Sequence, residues 1–356
     1  MNCISSKEAA FKWKISQRRV AALCSAGRID GAMMIGKSWI IPETATKPQD
    51  ARAKELLGCP EMARPFLKWA GGKGQLLEEI KKYYPFEKDS SITKYAEPFV
   101  GGGAVLFDIL NEYNLDEVYI SDINAELINT YKAIRDSIDE LLITLKQFEN
   151  AYLTCQEKDR KKIYLANRAR FNDLKAKNAT GSEVAALMIF LNKTCFNGLY
   201  RVNRKGKYNV PMGAYKNPRI CDENNLRNVS KKLKDVQIVC GDYKDSEGFI
   251  DEKTFVYFDP PYRPLTPTAN FTSYTENLFD DKSQLELADF VQRMNDKGAK
   301  IVVSNSDPKN TNENDNFFDD AYASHNIKRI SATRMINRNS KKRGPINELL
   351  ISNFSY

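Results

Sequence analysis

Histidine is almost absent from this chain of 356 residues, in which His325 is the only one. A cluster of histidine ligands around a metal ion is therefore excluded, and acid–base chemistry based on histidine would depend on one side chain. The seven cysteines include no CxxC pair, so neither a zinc ribbon nor a disulfide framework is indicated. We expect chemistry that uses carboxylates, backbone groups and a cofactor, without a metal ion.

Long apolar segments are missing as well. No window approaches the roughly 18 uninterrupted apolar residues of a membrane span, and the first residues lack the apolar segment of a secretory signal. A hydrophobic fraction of 42% and an aromatic fraction of 11% are ordinary for globular proteins. We therefore expect a soluble, cytoplasmic protein of about two or three domains with no membrane partner.

Acidic residues are absent from two long stretches, although the net charge of the whole chain is only +8. The first stretch is Lys193–Arg219, in which aromatic residues are interleaved with basic ones, and the second is Ala321–Ile346. One basic run is usually a solvated loop, whereas two such runs in one chain favour a polyanionic partner.

Residues 1–42 have the pattern of a small module of their own. Ser5–Glu8 is a capping box that opens a short helix, a second helix is indicated at Gln17–Ser25, and Gly36-Lys37 interrupts an apolar run as a hairpin turn would. This arrangement resembles the winged helix-turn-helix of excisionase-like or MerR-like DNA-binding proteins. A small domain that docks on another protein is an equally open alternative. The first interpretation implies that four basic residues face a phosphate backbone: Lys14, Arg18, Arg19 and Lys37.

After a polar, proline-containing linker at residues 43–64, apolar strand patterns alternate with helical ones. Alternation of this kind predicts an α/β fold with a largely parallel sheet covered by helices on both faces. An insertion spanning residues 122–235 is too long for a loop, and we expect it to form a mostly helical lobe. The predicted strands are Tyr95–Val100, Glu117–Ser121, Val236–Cys240, Thr254–Phe258, Lys300–Ser304, Ile327–Ser331 and Glu348–Ser352. The predicted helices include Ala104–Asn111, Ala125–Asp136 and Gln284–Asn295.

A glycine cluster follows the first of these strands, in Ala96–Gly103 (AEPFVGGG), and precedes a helical pattern. Glycines there let the backbone approach a ligand closely, and the helix N-terminus favours negative charge. Asp122 ends the next strand and suits a carboxylate that accepts hydrogen bonds from ribose hydroxyls. Because the consecutive glycines break the G-x-G-x-x-G dinucleotide pattern, a nucleoside cofactor without a pyrophosphate fits better.

The sharpest signal is the tetrapeptide Asp259-Pro260-Pro261-Tyr262 (DPPY), directly after a predicted strand. An aromatic amine is a poor nucleophile because its lone pair is delocalised into the ring. The Asp259 carboxylate and a backbone carbonyl of the two prolines could accept both amine hydrogens and stabilise the positive charge that develops on methylation. Tyr262 offers a face on which a flipped base can stack. The alternative is a proline turn that only ends a strand.

Several motifs together resemble the S-adenosylmethionine-dependent DNA adenine-N6 methyltransferases of the Dam type. They occur in the order seen in that family and extend from about residue 65 to the C-terminus, whereas the N-terminal module lies outside the family pattern. The motifs are Phe66–Lys73 (FLKWAGGK), AEPFVGGG, Ile120–Asp122 (ISD), Asn192–Arg201 (NKTCFNGLYR), Tyr208–Pro211 (YNVP), DPPY and Ala269–Tyr274 (ANFTSY).

The resemblance implies a Rossmann-like methyltransferase core at residues 65–135 and 236–356 and a helical target-recognition lobe at residues 136–235. It implies a site-specific adenine methyltransferase that acts on double-stranded DNA. The cofactor would be S-adenosylmethionine and the product S-adenosylhomocysteine, with no metal. Enzymes of this kind occur in restriction–modification systems of bacteria and phages, and the sequence leaves open whether a restriction enzyme accompanies this one.

Residue roles follow from the same resemblance. Trp69 would pack on the cofactor, Lys73 would pair with its carboxylate, and Asp122 would hold its ribose. Asp259 would lie between the cofactor and the target amine, in a catalytic motif that consists of Asp259, Pro260, Pro261 and Tyr262. The remaining cofactor-binding positions are Phe99, Gly101, Gly103 and Asp242, of which Asp242 would read the cofactor adenine.

DNA contacts are implied in the same way, with GATC as the favoured recognition sequence. Arg201 suits a bidentate contact with guanine, while Arg204, Lys205 and Lys207 suit contacts with phosphates. Ala214 stands where arginine is usual in relatives that recognise GATC. The positions that match DNA-contacting residues are Lys68, Phe196, Asn197, Leu199, Arg201, Pro211 and Tyr215.

Two alternatives stay open at this point. Related Asp/Asn-Pro-Pro-Tyr turns also serve methyltransferases that act on RNA bases or protein amides, but the two basic runs and the recognition motifs favour DNA. A non-enzymatic regulator with a decayed core is the other alternative, and the intact Lys73, Asp122 and DPPY motif speak against it.

Overall fold

A computed structural model describes residues 3–13, 15–36, 38–48, 62–69, 71, 73–263, 279–333 and 345–355. Several sequence predictions lie outside these residues: Lys14 and Lys37 of the N-terminal module, most of the linker, the motif Ala269–Tyr274, and the basic residues of the second run that follow residue 333. The chain divides into two compact units, Met1–Glu61 and Met62–Tyr356.

The described part of the first unit contains two helices and a three-stranded sheet. Strand β1 (Cys3–Ser5) leads into helix α1 (Ser6–Trp13) and helix α2 (Gln17–Ser25). Strands β2 (Met33–Ile35) and β3 (Ser38–Pro42) form an antiparallel hairpin, and β3 lies between β1 and β2. The two helices and the hairpin predicted from the sequence are therefore confirmed.

Side-chain caps define where both helices begin. The Ser5 N–H donates to Glu8 Oε2 at 2.8 Å and the Glu8 N–H donates to Ser5 Oγ at 3.3 Å, which is the predicted capping box. Ser16 Oγ accepts from the Arg19 N–H at 3.2 Å and caps α2. The unit has an apolar core of its own, formed by Ala9, Ala10, Trp13, Val20, Leu23, Cys24, Ile29 and Ile41.

The second unit alternates strands with helices. Its strands are β4 (Lys94–Glu97), β5 (Glu117–Asp122), β6 (Val236–Cys240), β7 (Thr254–Phe258), β8 (Lys300–Ser306), β9 (Asn326–Thr333) and β10 (Pro345–Ser352). Its helices are α3 (Leu77–Lys81), α4 (Ala104–Glu112), α5 (Ala125–Asp136), α6 (Ile138–Thr154), α7 (Glu157–Ala176), α8 (Ser182–Thr194), α9 (Glu223–Leu233), α10 (Asp281–Asp296) and α11 (Phe317–Ala321). Short 3₁₀ helices occur at Lys73–Gln75, Phe196–Gly198, Tyr243–Gly248 and Pro308–Asn310.

The strands of the second unit form one seven-stranded sheet in the order β6-β5-β4-β7-β8-β10-β9. Neighbouring strands from β6 to β8 are parallel, while β10 is antiparallel to both β8 and β9. The mostly parallel sheet predicted from the sequence is therefore confirmed, and its order is consistent with a Rossmann-like fold.

Alternating residues of the strands face two different apolar layers. Tyr95 and Phe255 belong to one layer, whereas their chain neighbours Ala96 and Val256 belong to the other. Helix α4 contributes to the first layer through Leu106 and Phe107, among others, and helix α10 contributes to the second through Leu287, Phe290 and Val291. Both faces of the sheet are thus covered, as the alternation of strands and helices predicts.

The insertion between β5 and β6 is mostly helical, as predicted. Its buried side chains belong to the same apolar layer as Tyr95 and Phe255. The helices of the insertion therefore share a core with one face of the sheet. A boundary between a catalytic core and a recognition lobe at residues 135–136 stays a prediction. The buried residues of the insertion include Leu141, Tyr152, Phe171, Ile189 and Leu226.

Strand β4 is shorter than the sequence predicts. It ends at Glu97 rather than at Val100, because Pro98 has no N–H to donate and the chain turns at Gly101, whose φ is +47°. The Val100 N–H donates to the Ser121 carbonyl at 3.0 Å, so the turn remains bonded to β5.

Membrane-spanning helices and clusters of metal-binding side chains are not found in the described ranges. No helix there is long and apolar enough to span a membrane. No group of three or more His, Cys, Asp or Glu side chains in those ranges has an arrangement that could hold a metal ion.

Close packing at Gly103 predicts a cost for any side chain at this position. The φ of Gly103 is +69°, and an added Cβ would lie 2.6 Å from Tyr131 Oη and 2.9 Å from Phe107 Cε2. Gly103→Ala should therefore lower the free energy of unfolding by about 2 kcal/mol or more. Gly248→Ala is the control, since nothing lies within 4 Å of its added Cβ. Chemical denaturation measures both variants, and equal stability would contradict the packing at Gly103.

Candidate active site and nucleic-acid interface

The candidate site lies where the order of the parallel strands reverses. The chain passes from β4 to β5 and β6 on one side and later to β7 and β8 on the other, so β4 and β7 are neighbours. In open α/β sheets, ligands bind beyond the carboxyl ends of the strands at this point. The glycine turn follows β4 and the DPPY motif follows β7. The topology therefore brings the two main sequence signals to the same edge of the sheet.

The glycine turn packs against the side chain of Trp69. A Cβ at Gly101 would lie 2.9 Å from Trp69 Cδ1, and a Cβ at Gly102 would lie 3.1 Å from Trp69 Cβ. The Trp69 ring stacks on Tyr200 with centroids 5.6 Å apart, and Tyr131 Oη donates to the Gly101 carbonyl at 3.1 Å. The indole is half-buried, so it is held beside the turn while part of its surface stays accessible.

Asp122, at the end of β5, binds the same turn. Its Oδ2 accepts from the Gly101 N–H at 3.2 Å and its Oδ1 accepts from the Asn124 N–H at 2.9 Å. Burial raises the pKa of Asp122 to about 6, although both N–H groups oppose the rise. A carboxylate offers about four acceptor positions. Each oxygen of Asp122 can therefore still accept a hydrogen bond from a hydroxyl group.

Asp242 and Phe99 lie just beyond neighbouring strands. Asp242 is exposed after β6, and the preceding Gly241 N–H donates to the Asp122 carbonyl at 3.2 Å. Phe99 follows β4, is half-buried, and stacks on Tyr243 with centroids 5.5 Å apart. Most of the residues predicted to bind the cofactor thus lie beyond successive strands of one sheet edge, whereas Trp69 and Lys73 precede the first of these strands.

Asp259, directly after β7, forms a buried ion pair with Lys73. Lys73 Nζ lies 2.7 Å from Asp259 Oδ1, and the Lys73 side chain is only 5% exposed. Ser304 Oγ donates to the same oxygen at 2.9 Å and accepts from Tyr257 Oη at 3.0 Å. Burial raises the pKa of Asp259, while Lys73 and Ser304 oppose the rise. Among the described residues none donates to Asp259 Oδ2.

Lys73 also binds Tyr262 of the DPPY motif. Lys73 Nζ donates to Tyr262 Oη at 2.6 Å, and Tyr262 Oη donates to Glu348 Oε2 at 2.6 Å. The resemblance assigns Lys73 to the cofactor alone, whereas the structure brings it into contact with two residues of the predicted catalytic motif.

Side-chain amides hold the backbone of the proline pair. Gln284 Nε2 donates to the Pro261 carbonyl at 2.9 Å, and Asn305 Nδ2 donates to Gln284 Oε1 at 3.0 Å. Asn305 Oδ1 accepts from the Arg263 N–H at 3.2 Å. No residue in the described part of the chain donates to the Pro260 carbonyl. The sequence leaves open which proline carbonyl accepts from an amine, and these contacts favour Pro260.

Asn192 joins two segments that the sequence predicts to contact DNA. Its Oδ1 accepts from the Lys68 N–H at 2.9 Å, and its Nδ2 donates to the carbonyls of Lys68 and Gly198 at 2.8 and 2.9 Å. Lys68 Nζ lies 4.7 Å from the centroid of the Tyr215 ring. The buried Asn192 therefore joins the segment around Lys68 to the segment that follows α8, and the exposed Lys68 side chain reaches Tyr215.

The segment that follows α8 carries further predicted DNA contacts. Phe196 and Asn197 are exposed, and the Phe196 N–H donates to the carbonyl of Pro211, which is exposed as well, at 2.8 Å. Leu199 is half-buried, and its carbonyl accepts from Tyr208 Oη at 3.2 Å. These contacts fold the segment back on itself and leave Phe196 and Asn197 outward.

Arg201 is exposed but is not in contact with the other predicted DNA-binding residues among those the structure describes. Its Nε donates to Asn209 Oδ1 at 2.8 Å, which leaves the two terminal nitrogens of the guanidinium for a ligand. The neighbouring basic residues are exposed too: Arg204, Lys205 and Lys207.

Three polar residues that contact the DPPY turn were not identified from the sequence, namely Ser304, Gln284 and Glu348, and neither was Asn305, which binds Gln284 and the backbone of Arg263. The Ser304-Asn305 pair had a signal, because polar residues end an otherwise apolar strand at the binding edge of the sheet. Gln284 and Glu348 had no such signal. Gln284 lies in an amphipathic helix, and Glu348 lies in a strand with no motif around it.

The mostly parallel sheet, with the glycine turn and the Asp-Pro-Pro-Tyr turn beyond neighbouring strands, is consistent with a Rossmann-like methyltransferase fold. A sequence model of the family described as D12 class N6 adenine-specific DNA methyltransferase matches residues 69–336, and the chain belongs to this family. As a member of this family, the protein is an adenine-specific DNA methyltransferase. The family depends on S-adenosylmethionine.

Several curated relatives each match about four fifths of this chain. The type II methyltransferase M.MjaIII of Methanocaldococcus jannaschii is 49% identical over 294 residues, which is 82% of this chain and 99% of the relative. The type II methyltransferase M1.LlaDCHI of Lactococcus lactis is 36% identical and covers 82% of this chain and 95% of its own length. The DNA adenine methylase of Escherichia coli is 33% identical over 81% of this chain and 94% of its own.

Lys73→Met removes the ammonium that opposes the effect of burial on Asp259. The pKa of Asp259, already raised, should rise further because the carboxylate then lacks its charged partner. Carboxyl ¹³C shifts of labelled aspartate, followed against pH, measure the change. Lys162→Met is the control, because Lys162 is 84% exposed and pairs with Asp159 on the surface. An unchanged pKa of Asp259 would contradict the ion pair.

Proposed function

We propose that this enzyme methylates N6 of an adenine that has flipped out of duplex DNA, and that its recognition sequence is GATC. The observation that carries the proposed chemistry is the pair of acceptors at Asp259 Oδ2 and the Pro260 carbonyl. The alternative acceptors, Asp259 Oδ1 and the Pro261 carbonyl, are already bound by Lys73, Ser304 and Gln284. Two acceptors on one turn match the two N–H groups of an exocyclic amine.

The proposed mechanism needs only groups of the DPPY turn beside the cofactor. S-adenosylmethionine supplies an electrophilic methyl group when bound. Asp259 Oδ2 and the Pro260 carbonyl each accept a hydrogen bond from one N6–H group. These bonds draw the nitrogen toward a tetrahedral geometry, so that its lone pair is less delocalised. The charge of Asp259 stabilises the positive charge that develops on N6 until one of the two N6 protons is released to solvent, which leaves the neutral methylamino group. The Tyr262 ring stacks on the base after it has left the helix.

The residues beyond β4, β5 and β6 fit this cofactor. Positive φ angles at Gly101 and Gly103 shape the turn, and a side chain at either position would collide with its neighbours. The free acceptor positions of Asp122 suit the ribose hydroxyls, and Lys73 supplies a positive charge for the amino-acid carboxylate. We assign Trp69 and Phe99 to contacts with the cofactor and Asp242 to its adenine.

Target recognition is assigned to the helical insertion at residues 136–235 together with Lys68. The support is the exposure of Phe196, Asn197 and Arg201 and the proximity of Lys68 to Tyr215. Leu199 and Pro211 complete the proposed DNA-contacting set.

The first unit is proposed to be a winged helix-turn-helix that binds DNA as well. Two helices followed by a hairpin support this proposal, and Arg18 and Arg19 are exposed in the first turn of α2. The enzyme would then act on DNA in the cytoplasm.

Asp259→Ala should lower methyl transfer to duplex DNA by about a hundredfold or more, because one of two amine acceptors and the stabilising charge are lost together. The assay measures transfer of labelled methyl groups to duplex DNA, RNA and protein, followed by mapping of the modified base. Asp173→Ala, which changes an exposed carboxylate of α7, is the control. Near-normal turnover of Asp259→Ala would contradict the catalytic assignment, and transfer to RNA or protein alone would contradict the substrate.

Arg201→Ala should relax discrimination at one guanine of the recognition sequence, because a bidentate arginine contributes about 1–3 kcal/mol against the wrong base. Lys205→Ala should instead weaken all duplexes alike and reduce the salt dependence of binding. Methylation and binding of single-substitution duplexes at two salt concentrations separate these effects. If Arg201→Ala lowers methylation of every duplex by the same factor, Arg201 contacts the backbone and the assignment is wrong.

A further inference from the structure

Glu348 is an acidic residue next to the DPPY motif that has no role in the proposed function so far. It lies in β10 opposite Ser306 of β8. Because β10 is antiparallel to β8, its early residues lie at the edge where the parallel strands end. Opposed residues of such a pair share a face, as do alternate residues of one strand. Glu348 therefore lies on the same face as Ser304, which binds Asp259.

Glu348 and Lys73 bind the same hydroxyl group. Tyr262 Oη donates to Glu348 Oε2 at 2.6 Å and accepts from Lys73 Nζ at 2.6 Å. A phenolic hydroxyl has one proton and an ammonium can only donate, so the proton of Tyr262 is directed to Glu348. Burial raises the pKa of Tyr262 well above its usual value, and the nearby carboxylates of Asp259 and Glu348 raise it further. The hydroxyl therefore keeps the proton that Glu348 accepts.

We propose that Glu348 is a positioning residue that fixes the ring of Tyr262 for stacking on the flipped adenine. The inference rests on the proposed function, in which Tyr262 is the stacking surface. A tyrosine ring rotates about two torsions, and two charged groups that hold the Oη at its far end select one orientation. Without Glu348, the hydroxyl proton has no acceptor in the described part of the chain. The ring would then adopt several orientations, and a smaller fraction of its encounters with the base would place N6 next to Asp259.

A double-mutant cycle tests this coupling. Glu348→Ala and Tyr262→Phe break the same hydrogen bond, so each should lower the single-turnover rate of methyl transfer about tenfold, and the double variant should be no slower than either. Glu348→Gln should retain at least about half of the rate, because the amide oxygen still accepts a hydrogen bond. Dissociation constants for S-adenosylmethionine and duplex DNA should change less than about threefold in all variants.

Base stacking gives a second measurement that does not depend on turnover. When 2-aminopurine replaces the target adenine, it fluoresces after leaving the helix and is quenched where it stacks on an aromatic ring. The complex with Glu348→Ala should be brighter than the wild-type complex, and the complex with Glu348→Gln should match the wild type.

Asp108→Asn is the control, because Asp108, like Glu348, accepts from a tyrosine hydroxyl but lies outside the DPPY turn. Its Oδ2 accepts from Tyr84 Oη at 3.0 Å, and its Oδ1 lies 2.9 Å from Lys81 Nζ. This variant should lose thermal stability, while the rate per folded molecule and the fluorescence of 2-aminopurine stay at wild-type values.

Full turnover by Tyr262→Phe would overturn the proposal, as would rate losses that multiply in the double variant. A Glu348→Gln variant as slow as Glu348→Ala would do the same, since it would indicate an effect of charge alone. If Glu348→Ala does not fold, the rates of Tyr262→Phe and Glu348→Gln still test whether Glu348 positions the ring. Failure of the proposed function is a separate outcome, in which the wild type methylates no adenine in duplex DNA.

Discussion

The buried ion pair between Lys73 and Asp259 is the interaction on which the candidate site depends. Lys73 is almost inaccessible to solvent, and without a carboxylate next to it the ammonium would be destabilised. Without Lys73, the pKa of Asp259, already raised by burial, would rise further, and each protonated molecule would lack the negative charge of the carboxylate. Because Lys73 and Ser304 both bind Oδ1, the pair also orients the Asp259 carboxylate, and in the proposed function Oδ2 is the oxygen that binds substrate. The ion pair with Lys73 thus affects both the charge of the Asp259 carboxylate and its orientation.

Strand direction explains how the other groups reach this pair. Parallel strands end at one edge of the sheet, so the glycine turn, Asp122 and the DPPY turn lie beyond neighbouring strands. The antiparallel β10 contributes its beginning to the same edge, which is how Glu348 comes to bind Tyr262. The two kinds of strand therefore supply different parts of one site.

Two segments proposed to contact DNA are joined to the glycine turn by short contacts. Asn192 binds the backbone of both Lys68 and Gly198, and Lys68 precedes Trp69, which packs on the glycine turn. The helices of the insertion share an apolar layer with one face of the sheet. The residues proposed to recognise DNA and those proposed to carry the chemistry are thus attached to one core within the second unit.

The sequence by itself determined the class of the fold and most of the catalytic motif. Strand and helix patterns depend on local alternation of apolar residues, and β6 and β7 begin and end where that alternation predicts. The DPPY and glycine motifs are contiguous, so they could be read directly. Only the tertiary structure decided that Lys73 binds Asp259 and Tyr262, that Gln284 occupies the Pro261 carbonyl, and that Glu348 accepts from Tyr262. These contacts join residues far apart in the chain, and their geometry depends on strand order and direction, which no local pattern encodes.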